Sequence, residues 1–257
     1  MAPGTGFFEH ASPLAFAHRG GSAEAPENSW GAFERAQALG FRYMETDVRV
    51  TADAVPIAVH DPDFLRVSGR DVQVSSSSWH DVSTIRLADG REPPRLEDLL
   101  GTWPELRWNI DVKQKEAAAP VAEAIKRTGS ANRVLIAAFS ARRTAMVRSA
   151  LGPELGGTVA TGAGRLAIAL LLGAKVLPSV KFNAGADAAQ VPVRRRGVRI
   201  VDPAFVRVCH KLGVAVHVWT VDDASEMGRL LDLGVDGIMT DRPSILKEVL
   251  RQRGQWV

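Results

Sequence analysis

The sequence predicts an α/β fold: a single (β/α)8 TIM barrel over residues 1–257, with a long loop insertion after a hairpin strand that ends at His60. Three observations predict it. Short apolar runs ending in polar residues alternate with amphipathic segments long enough for crossover helices, the pattern of parallel strands. Eight such units fit into 257 residues, the usual size of a closed barrel. Hydrophobic residues make up 46% of the chain and charged residues 24%, as in globular proteins with a full core.

The first strand is expected over residues 14–18, followed by an amphipathic segment over 27–39 that Gly40 stops. Residues 43–50 form the second strand and 107–113 the third, with a helix over 116–128 behind it. The fourth strand covers 133–139 and leads into a helix at about 141–151. The fifth, 156–161, precedes the apolar segment 166–172, and the sixth lies between 176 and 193. Strands over 214–220 and 237–240, with helices over 203–212, 224–233 and 244–251, complete the alternation. Residues 55–60 break it: only 51–54 separate them from the second strand, too few for a crossover helix, so this run returns as a hairpin. That return sets His60 over the same mouth as Glu45 and Asp47. The polar, Ser-rich stretch 61–94 carries one weak apolar pattern and reads as a functional loop or lid.

Composition narrows the function. The formal net charge is only +3, and the one basic cluster, Arg194-Arg195-Arg196, reads as a solvated loop; with no recognisable binding motif, nucleic acid is not an expected partner. The single cysteine, Cys209, leaves no intramolecular disulfide and fits a reducing compartment. The longest apolar stretch, 166–177, is broken by Gly173 and Lys175 and is too short to span a bilayer. Residues 1–8 lack a basic segment followed by an apolar one, so no signal peptide is expected. The expectation is a cytoplasmic protein without a stable membrane anchor.

Charge placed inside apolar strands carries the chemistry. Glu45 and Asp47 share a strand face, as do Asp111 and Lys113, because alternate residues point the same way. Buried carboxylates are costly unless they meet a cation. Ion pairs with Arg42 or Arg49 would answer that cost. Clustered carboxylate oxygens also suit a hard divalent ion such as Mg²⁺ or Ca²⁺, with Asp111 as a third ligand. Lys113 is placed to hold a phosphate oxygen or pair with a carboxylate. His18-Arg19-Gly20-Gly21 ends the first strand, at the barrel end where active sites form. A histidine there transfers protons near neutrality, and an arginine clamps a phosphate. Trp219 is placed either to wall a substrate pocket or to pack in the core. His10, His80 and His210 lie in the tail, the long loop and a helix. His217 is expected to face away from the barrel interior, and Asp241 to cap the last helix.

Seven segments, in order along nearly the whole chain, together resemble the glycerophosphodiester phosphodiesterase family. They are His18-Arg19-Gly20, Glu27-Asn28-Ser29, Glu45-Thr46-Asp47, Val59-His60-Asp61, Asp111-Val112-Lys113, the run at 218–221 around Trp219, and 234–241 ending in Asp241. The resemblance implies a metal-dependent barrel that cleaves a small-molecule glycerophosphodiester to glycerol 3-phosphate and an alcohol. It implies one divalent ion, Mg²⁺ or Ca²⁺, on Glu45 and Asp47, with His18 and His60 as catalytic residues. Arg19 and Lys113 match phosphate-contacting positions. The family often has Glu where this chain has Asp111, which keeps the charge with a shorter reach. A lysophospholipase D, or a lyase that stops at a cyclic phosphate, would use the same barrel.

Overall fold

In the computed structural model, which describes residues 6–10, 13–174 and 185–256, eight parallel strands follow one another around a barrel with helices packed outside. The strands are β1 (Leu14–Ala17), β2 (Tyr43–Val50), β3 (Arg107–Val112), β4 (Val134–Ala137), β5 (Ala160–Thr161), β6 (Ala188–Pro192), β7 (Ala215–Trp219) and β8 (Gly237–Thr240). They lie in the order β5-β4-β3-β2-β1-β8-β7-β6. A parallel bridge between Gly162 and Ala188 closes the ring, reinforced by Ala163 N donating to Ala188 O (2.7 Å) and Asp187 N to Thr161 O (2.9 Å). The predicted fold class is thus the observed one.

The helices packed around the barrel are α1 (Trp30–Ala38), α2 (Leu96–Thr102), α3 (Ala118–Arg127), α4 (Ala141–Gly156), α5 (Arg165–Ala174), α6 (Pro203–Lys211), α7 (Ala224–Asp232) and α8 (Pro243–Gln252), and the insertion adds two single turns, Leu65–Ser68 and Trp79–Val82. Capping sets several starts. Ser29, Asp202 and Asp223 each accept a backbone N–H from the first turn, at α1, α6 and α7. α1 therefore begins after Ser29 rather than at 27, which leaves Glu27 and Asn28 free for another role. α4 continues past 151 across a break at Gly152 (φ 85) and Pro153. The N-terminal residues 1–5, the end of the apolar stretch (175–177) and the sixth-strand window up to 184 lie outside the described residues. No helix among the described residues is long and apolar enough to cross a membrane.

Strand periodicity sorts the side chains. Met44, Val48 and Val50 of β2 face outward into the main core with Trp108, Ile110 and Val112 of β3, where Phe33 meets Trp108 edge-on (5.0 Å, 70°). The alternate row faces the barrel interior: Leu14 and Phe16, Tyr43, Leu135 and Ala137, Ala160, Ala188 and Met239 pack together. Phe7, from the turn Gly6–Phe8, closes this cluster and accepts a hydrogen bond from Tyr43 Oη (2.8 Å). His217 belongs to this interior row, correcting the expectation that it faces away. It is fully buried with its ring 4.9 Å from that of Phe16. Followed to the C-terminal ends of the strands, the same row becomes charged or aromatic.

The run after β2 returns as expected, with Pro56–Ala58 antiparallel to β2 (Val48 opposite Ala58). The insertion has more structure than its sequence suggests. Phe64, Val74, Val82, Ile85 and Leu87 pack with Ile57 and Val59 into a satellite core, around a small hairpin of Asp63–Phe64 and Arg70–Gln73. These apolar positions follow no single period, so they escape pattern reading.

Candidate active site

The site begins with a turn that only glycine permits. After β1 the chain passes through Arg19 (φ 52), Gly20 (φ 82) and Gly21 (φ 101). A Cβ on Gly20 would lie 2.6 Å from Ala32 Cβ, and one on Gly21 2.5 Å from Pro243 Cγ. The turn aims the Arg19 N–H at Glu45 Oε2 (3.0 Å), while the Arg19 carbonyl accepts from Asn28 N (2.9 Å). Asn28 (φ 50) in turn donates through Nδ2 to Asp47 Oδ2 (3.1 Å) and accepts from Thr46 Oγ1 (2.8 Å).

Glu45 and Asp47 project together into the mouth, 4% and 2% exposed. The register sets Asp111 beside Asp47. Lys113 Nζ bridges the strands, 2.7 Å from Asp47 Oδ1 and 2.6 Å from Asp111 Oδ2. Arg19 Nε pairs with Asp47 Oδ2 at 2.9 Å. The cations that meet the acids are thus Arg19 and Lys113, not Arg42 or Arg49. Arg49 Nε donates to the His60 carbonyl (2.9 Å), and Arg42 lies at the opposite end of the barrel, by a cavity of about 870 Å³ shared with Arg107, Arg133 and Trp256. That cavity is remote from the charged mouth.

Burial, then the charge of Asp47, pushes the Glu45 carboxyl up to about 7 against the opposing pull of His18 and Lys113. For Asp47, burial acts upward too, but Lys113 and Arg19 outweigh it and hold the carboxyl below its ordinary range. Burial would lower Lys113; Asp47 and Asp111 outweigh it and raise it.

Both candidate histidines are held the same way. His18 Nδ1 donates to Asp241 Oδ1 (2.7 Å), with its Nε2 3.7 Å from Glu45 Oε2. His60 Nδ1 donates to Asp61 Oδ1 (2.7 Å). A carboxylate on Nδ1 fixes ring and tautomer and leaves Nε2 to handle a proton. For His18, burial depresses the pKa, but Glu45 and the hydrogen bond that the ring donates to Asp241 outweigh it, so the imidazole is raised. Asp241 therefore does not cap α8 as expected. The cap position falls on Arg242, which makes no side-chain cap bond, and Asp241 is anchored instead by Asp222 accepting its N–H (2.8 Å). A second ring of charge supports His60. Arg66, from the insertion, donates to Asp61 Oδ2 (2.5 Å) and forks onto Glu27 (2.7 and 2.8 Å), which also takes Arg19 Nη1 (3.1 Å).

Trp219 closes the far side of the mouth edge-on to Phe139 (6.2 Å, 79°), and Phe139 is 47% exposed. The structure thus gathers His18, His60, Arg19, Lys113, Glu45, Asp47, Asp111 and Trp219 at one end of the barrel. It adds Glu27, Asn28, Arg66, Phe139 and Asp241, to which sequence reading assigned no part in the site. Row parity points to two of them: Phe139 continues Leu135 and Ala137, and Asp241 continues Gly237 and Met239.

Glu45 is buried against like charge, and Asp111 Oδ1 is buried with no hydrogen-bond partner. Both features suit a hard cation. Asp47 has its oxygens engaged by Lys113, Arg19 and Asn28, and among the described residues no three acidic, histidine or cysteine side chains form a ready cage.

The closed (β/α)8 barrel thus carries paired histidines, carboxylates and cations at the C-terminal ends of its strands, the end where barrel enzymes place their active sites. The profile of the Glycerophosphoryl diester phosphodiesterase family matches residues 18–245. A Mycobacterium tuberculosis protein named probable glycerophosphodiester phosphodiesterase 2 is 42% identical, over 99% of this chain and 97% of the relative. A glycerophosphodiester phosphodiesterase of Caldanaerobacter subterraneus is 29% identical over 94% of this chain and 99% of its own. A solved structure from Silicibacter pomeroyi superposes with a TM-score of 0.80 over 99% of this chain and 100% of its own, at 21% identity, a likeness of fold. The chain belongs to the glycerophosphoryl diester phosphodiesterase family and is a phosphoric diester hydrolase.

Proposed function

We propose that the enzyme cleaves glycerophosphodiesters to glycerol 3-phosphate and an alcohol, with His18 and His60 as its proton-transfer pair. The observation that carries this reading is the matched anchoring of the two imidazoles: each has Nδ1 on its own carboxylate, Asp241 or Asp61, at one mouth. Arg19 and Lys113 are the cations placed to meet phosphate oxygens, and a phosphodiester anion would compete for them with Asp47. In this mechanism the glycerol hydroxyl adjacent to the phosphate attacks phosphorus. One histidine takes its proton, and the other protonates the leaving alkoxide as the P–O bond breaks. Water then opens the cyclic phosphate with the histidines exchanging roles.

Glu45 and Asp111, with Asp47, would hold one divalent ion, Mg²⁺ or Ca²⁺. When bound, the ion would neutralise charge on the phosphate. A cytoplasmic setting is part of the same reading, supported by the unpaired, buried Cys209. The half-exposed Phe139 beside Trp219 favours one second reading, a lysophospholipase D whose acyl chain lies on that wall.

The test is glycerol 3-phosphate release from glycerophosphocholine and glycerophosphoethanolamine, after EDTA and again with Mg²⁺ or Ca²⁺ restored. Release that disappears with EDTA and returns with an ion supports the reading. His18→Ala and His60→Ala should each lower kcat by about 10²–10⁴ with the circular dichroism spectrum unchanged. A fully active His60→Ala would remove His60 from the chemistry. Choline release from lysophosphatidylcholine, without release from glycerophosphocholine, would favour the second reading.

A further inference from the structure

The segment after β6 is a small hairpin that concentrates positive charge against its own local preferences. Arg194 pairs with Arg199 and Arg195 with Val198 in a two-stranded antiparallel ladder, turning through Arg196 (φ 49) and Gly197 (φ 80). Like charges directly opposite each other destabilise a ladder. A turn with two successive positive φ angles favours Asn-Gly, and here its first central residue is arginine. All six residues are exposed, Val198 to 64%. Among the described residues, none of the four arginines forms an ion pair. Glu226, the carboxylate that feels Arg199 and Arg194, is itself forked by Arg229 (2.6 and 2.7 Å). Among the described residues, Glu226 thus answers Arg199 and Arg194 without an ion pair to either.

Its position gives it a use. Pro192, the last residue of β6, is the register partner of Trp219, and Ile200 N donates to Val193 O (3.0 Å) to close the base of the hairpin. Four exposed arginines, of which Arg194 also donates to the Gly197 carbonyl within the turn (3.4 Å), and an exposed valine therefore stand on the rim of the mouth, on the side of Trp219. The half-exposed Phe139 is on the same rim. Arginines around an exposed valine complement an anionic bilayer: the guanidiniums meet headgroup phosphates, and the valine enters the boundary beneath them. Nucleic acid would be served by the charge but not by the exposed valine.

We propose that the hairpin Arg194–Arg199 docks the mouth of the barrel onto an anionic membrane surface as a peripheral, reversible contact. The test is co-sedimentation of the full chain with vesicles of equal parts phosphatidylglycerol and phosphatidylcholine, against vesicles of phosphatidylcholine alone. Binding should require the anionic lipid and fade as salt shortens the Debye length from about 10 Å at 0.1 M to about 3 Å at 1 M. Each arginine replaced by glutamine should weaken partitioning about fivefold, so R194Q/R195Q/R196Q should lose about a hundredfold. Val198→Ser should lose about tenfold while keeping all the charge. Hydrolysis of soluble glycerophosphodiester should be unchanged in every variant, which also reports that each one folds. Equal binding to both vesicles, or wild-type binding by the triple variant, would overturn the proposal. So would a gel shift of duplex DNA at the same salt without vesicle binding, which would turn the hairpin over to nucleic acid. Vesicle binding is read without turnover, so the docking and the catalytic mechanism stand or fall separately.

Discussion

His217 offers a stability experiment whose size comes directly from its surroundings. The ring is fully buried in the interior row against Phe16, Gln190 Nε2 lies 3.3 Å from its Nδ1, and its Nε2 is buried without a partner. Burial pushes the imidazole down to about 4 from an ordinary 6.5, with Asp236 opposing weakly. A folded-state value below the unfolded one means that the unfolded chain takes up the proton first. Stability is therefore present above pH 6.5 and is lost as pH falls towards 4. The difference of about 2.5 pH units corresponds to about 3 kcal/mol in full, of which about 2 kcal/mol is lost by pH 5. His217→Gln keeps a polar side chain of similar size but cannot titrate. Urea unfolding of both proteins, followed by tryptophan fluorescence at pH 7.5 and pH 5.0, isolates the effect because every other titrating group cancels in the difference. The variant should start less stable, from lost packing, and close the gap by about 2 kcal/mol at pH 5. A gap that stays constant between the two pH values would refute the argument, since His217 would then titrate alike in both states.

Three further substitutions probe the site. Asp241→Asn removes a charge that holds the His18 imidazole up, so the limb of the kcat/KM profile set by His18 should move to lower pH and kcat should fall roughly a hundredfold; an unmoved profile would leave Asp241 without a part in proton transfer. Gly20→Ala forces a side chain into a left-handed conformation 2.6 Å from Ala32 Cβ, which should cost about 2–4 kcal/mol and lower Tm by about 5–15 °C in calorimetry. Arg66→Ala frees Asp61 and Glu27 together; steady-state kinetics should show kcat down about tenfold with Tm little changed, and a kcat equal to wild type would mean that His60 keeps its pose without the tether.

Period-two alternation and strand ends were visible in the chain because they are local. Tyr43–Val50 and Gly237–Thr240 match their expected bounds, and Glu45, Asp47, Asp111 and Lys113 share a face because two-residue spacing demands it. The groups that hold His18, Glu27 and Asp47 from outside the strands were not visible, because they arrive from elsewhere in the chain. Asp241 reaches His18 across 223 positions, and Arg66 reaches Glu27 across 39. Asn28 lies only 19 positions from Asp47, yet its side chain is aimed by a positive φ that no pattern of hydrophobicity records. His217 shows the opposite failure. Its parity was available, since it shares a row with Trp219, but a polar residue in a strand invites an outward assignment, and only the interior contacts with Phe16 and Gln190 reverse it.

The two kinds of residue do different work at the mouth. The strand-borne acids and Lys113 are fixed by sheet register, so the spacing of Asp47, Asp111 and Lys113 cannot change without breaking the β2–β3 pairing. The loop-borne groups, Arg19, Glu27, Asn28, His60 and Arg66, are held by one another and by the strand acids they reach. Arg19 touches both sets, pairing with Asp47 on the strand and Glu27 in the loop, and its backbone N–H meets Glu45. A phosphate that drew the Arg19 guanidinium off Asp47 would therefore act on the loop network through Glu27, and on Arg66, Asp61 and His60 beyond it. On the proposed mechanism, phosphate arrival and histidine placement would be linked through this one side chain, which would give the turn Arg19-Gly20-Gly21 a part in the chemistry beyond that of an entry loop.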